Sequence, residues 1–396
     1  RVAIGATLNG ASLGHVRIYD YNGSSWVQVG ADIDGETLGG HTGYVSISSD
    51  GSRVAVGAGQ AARSNSGQVI MYDFNGTAWV KVGGNIVGES IGDRSGTGGL
   101  SLSSDGSIVA IGAMSNSGNG TYSGHVRVFQ YQVISGTATW TQLGADIDGE
   151  AARDYSGSQL SLSSDGSRVA IGAPFNDAGN SGSDNRGHVR VYELQSGSWV
   201  QLGSDIDGEA AGDMSGSSVS LSSDGSRVAI GAYTNDANGT YSGHVRIYDY
   251  NGTDWVKFGA DIDGEAAGDY SGWETRISLT PDGSRIAIGA GNNDGDSGDI
   301  DDNRGHVRVY SLLGEVYQYT WDVDSGGAPS DGLYYASVTG TDKAGNSYVA
   351  GTQSITFTLD ATAPTVTLTN TDSDNVVNVS QVVTITAGFS EAMTAT

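Results

Sequence analysis

The chain has 396 residues, no cysteine and a formal net charge of −26, with 45 acidic residues against 19 basic ones. The missing cysteines exclude disulfides, thiolate metal sites and a cysteine nucleophile, and the acidic balance argues against nucleic acid, whose phosphates require a basic surface. Because no apolar run of about 18 residues occurs, the sequence also predicts no membrane insertion in this segment.

The sequence Val-Ala-Ile-Gly-Ala, or a near copy, recurs six times. The copies lie at residues 2–6, 54–58, 109–113, 169–173, 228–232 and 286–290. Their starts are 52, 55, 60, 59 and 58 residues apart, which indicates one supersecondary unit repeated in tandem. A residue present in every copy is therefore expected to build the unit rather than to carry out chemistry.

Each copy is predicted to form four antiparallel strands, as the stretch 218–259 illustrates. Alternation of small polar and apolar residues predicts strands at residues 218–222, 227–232, 243–250 and 255–259. Asp224-Gly225 is a predicted two-residue hairpin turn with positive φ at both positions, and Asn251-Gly252 is a second tight turn. The first two strands carry bulk on one face and the last two on both, so the sheet is narrow at one edge. This shape predicts an all-β propeller with the Val-Ala-Ile-Gly-Ala strand near the channel.

Four further motifs lie in this region. They are Gly-Asp-x-Ser-Gly at 268–272, Ser-Leu-x-x-Asp-Gly-Ser at 278–284, Ile-Gly-Ala-Pro at 171–174 and Gly-His-Val-Arg-Val-Tyr at 187–192. On these residues the segment 1–312 resembles FG-GAP propeller repeats, which are related to the integrin α-subunit head. The resemblance implies a ring of seven blades. Six copies are visible and the first lacks its opening strand, so six and seven blades both remain open.

The repeat ends after Tyr310, and Thr and Val become more frequent. Strands are predicted at residues 334–341, 354–359 and 365–368. The motifs at 338–346, 355–360 and 363–368 resemble bacterial Ig-like domains of large surface proteins. The resemblance implies that 313–362 is the latter half of one Ig-like β-sandwich module and 363–396 the start of another. The sequence is therefore expected to be a piece of a longer protein.

The acidic loop Asp-Ile-Asp-Gly-Glu is the first candidate site. It occurs at residues 32–36, 146–150, 205–209 and 261–265, with a degraded copy at 85–89. In the last copy the candidate metal ligands are Asp261, Asp263, Glu265 and the following Asp269, because oxygen ligands on a loop suit Ca²⁺. The alternative is an inter-blade turn whose Asp side chains cap backbone N–H groups. The spacing also departs from the Asp-x-Asp-x-Asp-Gly of a calcium loop.

A second acidic loop belongs to the last copy alone. Residues 294–302 hold five carboxylates in nine positions, and Asp294, Asp296, Asp299 and Asp301 are the candidate ligands. Like charges at this density repel unless a cation or solvent screens them. The sequence leaves two interpretations open, a Ca²⁺ site and a solvated loop.

Histidine and tryptophan recur at fixed places in the repeat. Five of the six histidines lie in Gly-His-Val-Arg, at His15, His125, His188, His244 and His306. Repetition argues against a catalytic Ser-His-Asp constellation, so each imidazole is expected to pack between blades and to hydrogen-bond a neighbouring backbone. The arginines that follow are expected to meet the acidic loops. The tryptophans of the fourth strand are predicted to pack at the rim, with carbohydrate stacking as the alternative.

These features together predict a non-catalytic protein of the cell surface or extracellular space. It would be an adhesin or interaction module that presents a propeller on an Ig-like stalk, with Ca²⁺ as the one cofactor that the acidic loops suggest. Its partner would be a protein or glycan surface ligand, or copies of itself. Binding is expected on the loops that differ most, at residues 7–13, 59–66, 114–123, 174–186, 233–242 and 291–304. The alternatives are a subunit of an extracellular filament or coat, and a propeller hydrolase or lyase.

Overall fold

The computed structural model describes residues 1–61, 65–177, 184–273, 277–293 and 304–312, and six short strands beyond them. The chain divides into two compact units, Arg1–Leu312 and Leu313–Thr396. In the described part of the first unit, the strands form six antiparallel sheets, each of which is one propeller blade, and the one helix, α1 (Asn9–Ser12), is a single turn. The prediction of an all-β propeller of antiparallel blades is confirmed, with six blades.

The six blades follow one another along the chain. Blade 1 contains β1 (Val2–Ala6), β2 (His15–Tyr21), β3 (Trp26–Gln28) and β4 (Ile33–Asp34). Blade 2 contains β5 (Thr42–Ile47), β6 (Arg53–Ala58), β7 (Gln68–Phe74), β8 (Trp79–Lys81) and β9 (Ile86–Val87). Blade 3 contains β10 (Leu100–Leu102), β11 (Ile108–Ala113), β12 (His125–Ile134), β13 (Thr137–Gln142) and β14 (Ile147–Asp148).

The remaining three blades repeat the pattern. Blade 4 contains β15 (Gln159–Leu162), β16 (Arg168–Ala173), β17 (His188–Gln195), β18 (Ser198–Gln201) and β19 (Ile206–Asp207). Blade 5 contains β20 (Ser218–Leu221), β21 (Arg227–Ala232), β22 (His244–Tyr250), β23 (Trp255–Lys257) and β24 (Ile262–Asp263). Blade 6 contains β25 (Ile277–Leu279), β26 (Arg285–Ala290) and β27 (His306–Ser311).

A short outer strand accompanies the four predicted strands in blades 2 to 5. In blade 5, β24 pairs with the start of β22, so that His244 lies opposite Asp263 and Val245 opposite Ile262. The Ile-Asp of each acidic loop is therefore part of the sheet. A two-residue strand carries no periodicity, which is why the sequence pattern missed it. Its pairing fixes the carboxylates of the loop beside the histidine of the same blade.

The first strand of each blade lies nearest to its counterparts in the neighbouring blades, and the Val-Ala-Ile-Gly-Ala strand lies one place outward. A hydrogen bond repeats between these inner strands. The backbone N–H of Leu221 donates to Ser161 Oγ at 3.1 Å, and that of Leu279 donates to Ser220 Oγ at 2.9 Å. The small polar positions of the first strand thus tie consecutive blades together.

The hydrophobic core lies between blades rather than within one. One cluster joins Val189 and Val191 of blade 4 to Val228 and Ile230 of blade 5, and the corresponding clusters lie at the other junctions. Burying one such side chain contributes about 1.5–3 kcal/mol. The tryptophans of blades 2 to 5 seal the outer end of the junctions, as when Trp255 Nε1 donates to the Leu202 carbonyl of the preceding blade at 2.8 Å. This geometry is the predicted rim packing.

The turn between the first two strands differs from its prediction. Only Gly225 has positive φ, at 68°, and the turn closes through Ser222 N–H donating to the Arg227 carbonyl at 2.9 Å. The prediction of a two-residue turn with two positive φ values is therefore wrong. The Asp224 carboxylate replaces that geometry by accepting hydrogen bonds from Ser222 Oγ at 2.7 Å and Ser226 N at 3.0 Å.

The second unit is described only through its strands. These are β28 (Tyr319–Trp321), β29 (Leu333–Ala336), β30 (Gly340–Thr341), β31 (Ser347–Tyr348), β32 (Ile355–Thr358) and β33 (Val383–Ile385). They pair antiparallel as β28 with β33, β29 with β32 and β30 with β31. The predicted strand at 365–368 lies outside the described residues, and the Ig-like modules stay a prediction. Within the described chain, no helix has the length and apolar character needed to cross a bilayer.

Candidate binding face at the blade junctions

Ten non-glycine residues with positive φ form five pairs, one pair at each junction. One member precedes the third strand and the other is the variable residue of Gly-Asp-x-Ser-Gly or its equivalent. In every pair the second residue donates its backbone N–H to the carbonyl of the first, at 3.0–3.1 Å. The pairs, called the left-handed pairs below, are Ser12 with His41, Asn65 with Arg94, Tyr122 with Tyr155, Asn185 with Met214, and Tyr241 with Tyr270.

Left-handed backbone is costly for side chains as large as these. The φ values of Tyr155 and Tyr270 are 52° and 50°, in a region that disfavours residues with a Cβ by about 1–2 kcal/mol. Strain of this kind persists where the surrounding structure imposes it, and it concentrates at functional sites. Because the backbone repeats while the side chains vary among Ser, His, Asn, Arg, Tyr and Met, these positions present variable groups on a constant frame.

Aromatic rings gather at two of these pairs. The rings of Tyr122 and Tyr155 stack with centroids 5.6 Å apart, and Tyr241 and Tyr270 stack at the same distance. Trp273 extends the second group, 5.8 Å from Tyr270. Tyr122 and Tyr241 are 44% and 45% exposed. Rings of this type supply large contact areas with little loss of side-chain entropy on binding.

Two cavities open at these aromatic groups. One, of about 840 Å³, is lined by Arg94, Tyr122 and Tyr155 together with buried polar groups that include His125. The other, of about 960 Å³, is lined by Met214, Tyr233, Tyr241, Tyr270 and Trp273, with Glu209 and Asp236 among its polar groups. Both have the size of small-molecule sites, and both combine aromatic surface with carboxylates.

A histidine lies between two carboxylates behind the left-handed pairs. At the junction of blades 3 and 4, His188 Nδ1 is 3.8 Å from Asp205 Oδ2 and 3.9 Å from Glu150 Oε2. Asp205 comes from the acidic loop of the same blade and Glu150 from that of the preceding blade. The same trio recurs as Glu89, His125 and Asp146, and as Glu209, His244 and Asp261.

These imidazoles are buried, which favours their neutral form. Burial, reinforced by Arg190, lowers the pKa of His188 to about 4, and burial likewise lowers the pKa of His125 and of His244. Burial raises the pKa of Glu150. The sequence predicted a hydrogen bond from each imidazole to a neighbouring backbone, and this is wrong for His244, whose two ring nitrogens have no partner among the described residues.

The predicted arginine contacts are present. Arg190 Nη2 donates to the Asp148 carbonyl at 2.8 Å and its Nη1 lies 3.3 Å from Glu150. Arg246 makes the equivalent pair of contacts to the Asp207 carbonyl, at 2.8 Å, and to Glu209, at 3.6 Å. Each arginine therefore connects its blade to the acidic loop of the blade before it.

The four predicted ligands of the last acidic loop do not converge on one point. Asp261 lies 2.7 Å from Lys257 Nζ, and Asp263 Oδ1 lies 3.9 Å from His244 Nδ1. Glu265 points to the next blade, with Arg308 at 3.3 Å. Asp269 Oδ2 accepts backbone N–H groups of Glu265 and Ala266, each at 3.0 Å. One loop thus serves two junctions, and its last carboxylate caps backbone groups. Asp294, Asp296, Asp299 and Asp301 lie outside the described residues.

Sequence reasoning missed the partners that complete these groups. The carboxylate trio with histidine is assembled from two consecutive copies of the repeat, so no single motif contains it. The left-handed pairs were missed because positive φ at Tyr or Met has no compositional signal. The motif Gly-Asp-x-Ser-Gly gave one indication of these positions, because the residue at x changes from copy to copy while its neighbours stay the same.

Comparison with known proteins supports the propeller assignment. Residues 206–248, from the end of blade 4 to the third strand of blade 5, match the family model described as FG-GAP repeat. The first unit is thus a propeller in which one stretch matches the FG-GAP repeat model. No curated protein matches the chain.

The solved structures that match this chain do so at low sequence identity and with TM-scores below 0.5. TolB from Acinetobacter baumannii is 15% identical with a TM-score of 0.43, covering 78% of this chain and 60% of that protein. A provisionally assigned 6-phosphogluconolactonase from Bacteroides uniformis is 12% identical with a TM-score of 0.42, covering 79% and 92%. A provisionally assigned TolB from Agrobacterium tumefaciens is 12% identical with a TM-score of 0.41, covering 79% and 90%. The chain spans 60% of the length of the first of these proteins.

Proposed function

We propose that the protein is a non-catalytic adhesin or interaction module of the cell surface or extracellular space, and that it binds a protein or glycan through the left-handed pairs. The observation that carries the proposal is the constant, strained backbone of the five pairs, whose side chains range from Ser and Arg to Tyr and Met. Binding proteins place variable side chains on rigid scaffolds. The two aromatic cavities are the preferred points of contact.

The repetition of the polar groups supports a non-catalytic role. An enzyme concentrates its chemistry at one place, whereas the histidine–carboxylate trio recurs at several junctions with the same geometry. The conserved groups are also tied into the scaffold, as the contacts of Arg190 and Arg246 to carbonyl oxygens illustrate. A propeller hydrolase or lyase is the less favoured interpretation.

The experiment uses glycine, because glycine adopts left-handed backbone without strain. Tyr155→Gly, Met214→Gly and Tyr270→Gly together remove three side chains of the face. Each relieves backbone strain but loses its ring or thioether contacts, so a thermal melt checks that the triple variant stays folded. We expect at least tenfold weaker binding of the labelled chain to arrays of immobilised glycans and extracellular proteins. The array also decides between the two ligand classes.

Ser196→Gly is the matched control, because Ser196 has φ of 50° in the outer hairpin between β17 and β18. It relieves the same backbone strain away from the face and should leave binding unchanged. Unaltered binding of the triple variant would show that the left-handed pairs are not the binding surface. Turnover of array substrates by the original chain would favour the enzymatic interpretation instead.

Self-association is the second candidate function, and exposed apolar surface on blade 6 favours it. Val307 and Val309 of β27 are both 67% exposed. If copies of the chain assemble through this surface, as a filament or coat requires, Val307→Asp should lower the mass measured by analytical ultracentrifugation. A monomeric original chain at high concentration would argue against this candidate.

A further inference from the structure

One position on the fourth strand alternates between lysine and glutamine along the repeat. It lies two residues after the rim tryptophan, at Gln28, Lys81, Gln142, Gln201 and Lys257. At the junction of blades 4 and 5, Lys257 Nζ lies 2.7 Å from Asp261 and 3.4 Å from Glu209. At the junction of blades 1 and 2, Lys81 Nζ lies 3.1 Å from Glu36. Where lysine is present, its ammonium group occupies the space between the acidic loops.

The two junctions with glutamine have the same carboxylates without the ammonium group. Gln201 Nε2 donates to Asp205 Oδ1 at 2.7 Å, and Gln142 Nε2 donates to Asp146 Oδ1 at 2.6 Å. In both cases the other oxygen, Oδ2, faces the Nδ1 of the histidine at 3.8 Å. The glutamine thus orients the carboxylate but supplies no positive charge.

The glutamate of the group at His188 is oriented in the same way. Glu150 Oε1 lies 3.3 Å from Arg190 Nη1, while its Oε2 lies 3.9 Å from His188 Nδ1. Metal ligands are commonly held by outer hydrogen bonds of this type, which fix one donor atom toward the ion. Because two ligands at about 2.1 Å from one ion are at most about 4.2 Å apart, separations of 3.8 and 3.9 Å leave room for an ion between them.

The histidines are buried and turn one nitrogen toward the carboxylates. His125 is 1% exposed and lines the cavity of about 840 Å³, and its Nδ1 lies 3.8 Å from Asp146 Oδ2. Its other nitrogen, Nε2, has no hydrogen-bond partner among the described residues and points away from the carboxylates. In a neutral imidazole Nε2 can carry the proton, which leaves the lone pair of Nδ1 free to bind an ion.

We propose that the trio Glu89, His125 and Asp146 and the trio Glu150, His188 and Asp205 each bind one divalent transition-metal ion. One imidazole nitrogen with two carboxylate oxygens suits Mn²⁺ or Zn²⁺, whereas Ca²⁺ takes six to eight oxygen ligands. In the next junction, Lys257 supplies the positive charge between the corresponding pair of carboxylates, Glu209 and Asp261. The ion ties consecutive blades together directly behind the left-handed pairs.

The other histidine groups of the described chain differ in ways that exclude an ion. In blade 1, Asp32 Oδ2, the oxygen that faces His15, accepts a hydrogen bond from Arg17 Nε at 3.0 Å. At the junction of blades 4 and 5, Lys257 is already present. Within the described residues, the structure therefore predicts two ions per chain.

The test is a titration of the full chain, after treatment with EDTA and dialysis, with MnCl₂, ZnCl₂ or CaCl₂ alone. Calorimetry should give two sites for Mn²⁺ or Zn²⁺, with at least tenfold weaker binding of Ca²⁺, and the Mn²⁺ resonance spectrum should show nitrogen coordination. No surface ligand is needed, so this result stands or fails independently of the proposed adhesive function.

Substitutions at the alternating position sharpen the test. Gln201→Lys copies the natural Lys257 and should reduce the stoichiometry to one ion, and Lys257→Gln should raise it to three. His188→Gln copies the natural Gln68 of blade 2 and should weaken one site at least tenfold. Each replacement exists elsewhere in the same repeat, so the fold should tolerate it, and circular dichroism checks that it does.

Three outcomes would overturn the proposal. They are the absence of Mn²⁺ and Zn²⁺ binding by the original chain, an unchanged stoichiometry in both Gln201→Lys and Lys257→Gln, and tighter binding of Ca²⁺ than of either transition ion. Loss of a site in Gln201→Lys together with its gain in Lys257→Gln would establish both the location and the exchange of ion for ammonium.

Discussion

The inner and terminal blades show how much of each blade's burial comes from its neighbours. Ile230 of blade 5 is 0% exposed, whereas Ile4, at the same position in blade 1, is 52% exposed. Val245 of blade 5 is 0% exposed, whereas Val307, its counterpart in blade 6, is 67% exposed. Nearly identical strands thus have opposite environments. The apolar residues of the repeat form one face of a blade, and this face is buried only where another blade packs against it.

The two flanks of a blade face different neighbours. In blade 5, Val228 and Ile230 pack toward blade 4, whereas Val245 and Ile247 pack toward blade 6. Stability is therefore expected to depend on interfaces between adjacent units, as in other repeat proteins. The same substitution should therefore lower the free energy of unfolding more in an inner blade than in a terminal blade, because only in the inner blade does it remove contacts at a junction.

The largest expected difference concerns the rim tryptophans. Trp255 is 8% exposed and bonded to Leu202, whereas Trp26 is 56% exposed. We expect Trp255→Ala to lower the free energy of unfolding by about 3–5 kcal/mol and Trp26→Ala to lower it by less than about 1 kcal/mol. Chemical denaturation of the two variants measures the difference, and equal losses would contradict an origin in the junction.

A smaller difference is expected for the valines of the third strand. Val245→Ala should cost about 2 kcal/mol, because it removes two buried methyl groups and leaves a cavity. Val307→Ala should be nearly neutral, since its side chain is exposed. If Val307→Ala proved as costly as Val245→Ala under the same denaturation conditions, the exposed flank of blade 6 would have to be covered in solution.

The smallest expected effect should be the same in inner and terminal blades, because it arises within one turn. Hydrogen bonds from Ser48 and Ser52 lower the pKa of Asp50 to about 2, and bonds from Thr280 and Ser284 do the same for Asp282 in blade 6. A lowered folded-state pKa gives stability that is present above about pH 4 and is lost as the pH falls through about 2.

Asp50→Asn tests this turn. It should lower the free energy of unfolding by up to about 1 kcal/mol at neutral pH, after allowance for solvent screening. The difference from the original chain should disappear below about pH 2. Thermal melts over this pH range give the measurement, with Asp282→Asn for comparison. A deficit that persists in acid would show that the carboxylate charge is not the cause.

The sequence allowed prediction of what repeats within one copy. The period, the four main strands and the inward packing of Trp255 follow from local pattern and from recurrence. The trio at His188 escaped because Glu150 belongs to the preceding copy and the histidine was expected to bond a backbone group. The strand of Ile262 and Asp263 is too short for a periodic signal, and the left-handed backbone of Tyr270 is imposed by a cross-loop hydrogen bond.

Calcium binding by Asp261, Asp263, Glu265 and Asp269 stays a prediction, as does that of the loop at 294–302. The salt bridge of Asp261 to Lys257 and the backbone bonds of Asp269 give those two side chains other partners. The test is the melting temperature of the chain with and without a calcium-selective chelator. An unchanged melting temperature would indicate that these loops have a purely structural role.

The main-chain bond that fastens each left-handed pair has an evolutionary consequence. Because the frame is set by amide and carbonyl groups, it survives almost any codon change at the two positions, as the range from Ser12 to Tyr241 already shows. Duplication of the repeat then copies the backbone of the pair, and later point mutations change the side chains of each copy separately. If the left-handed pairs bind ligands as proposed, a new specificity requires only substitutions on an inherited backbone and no change of fold.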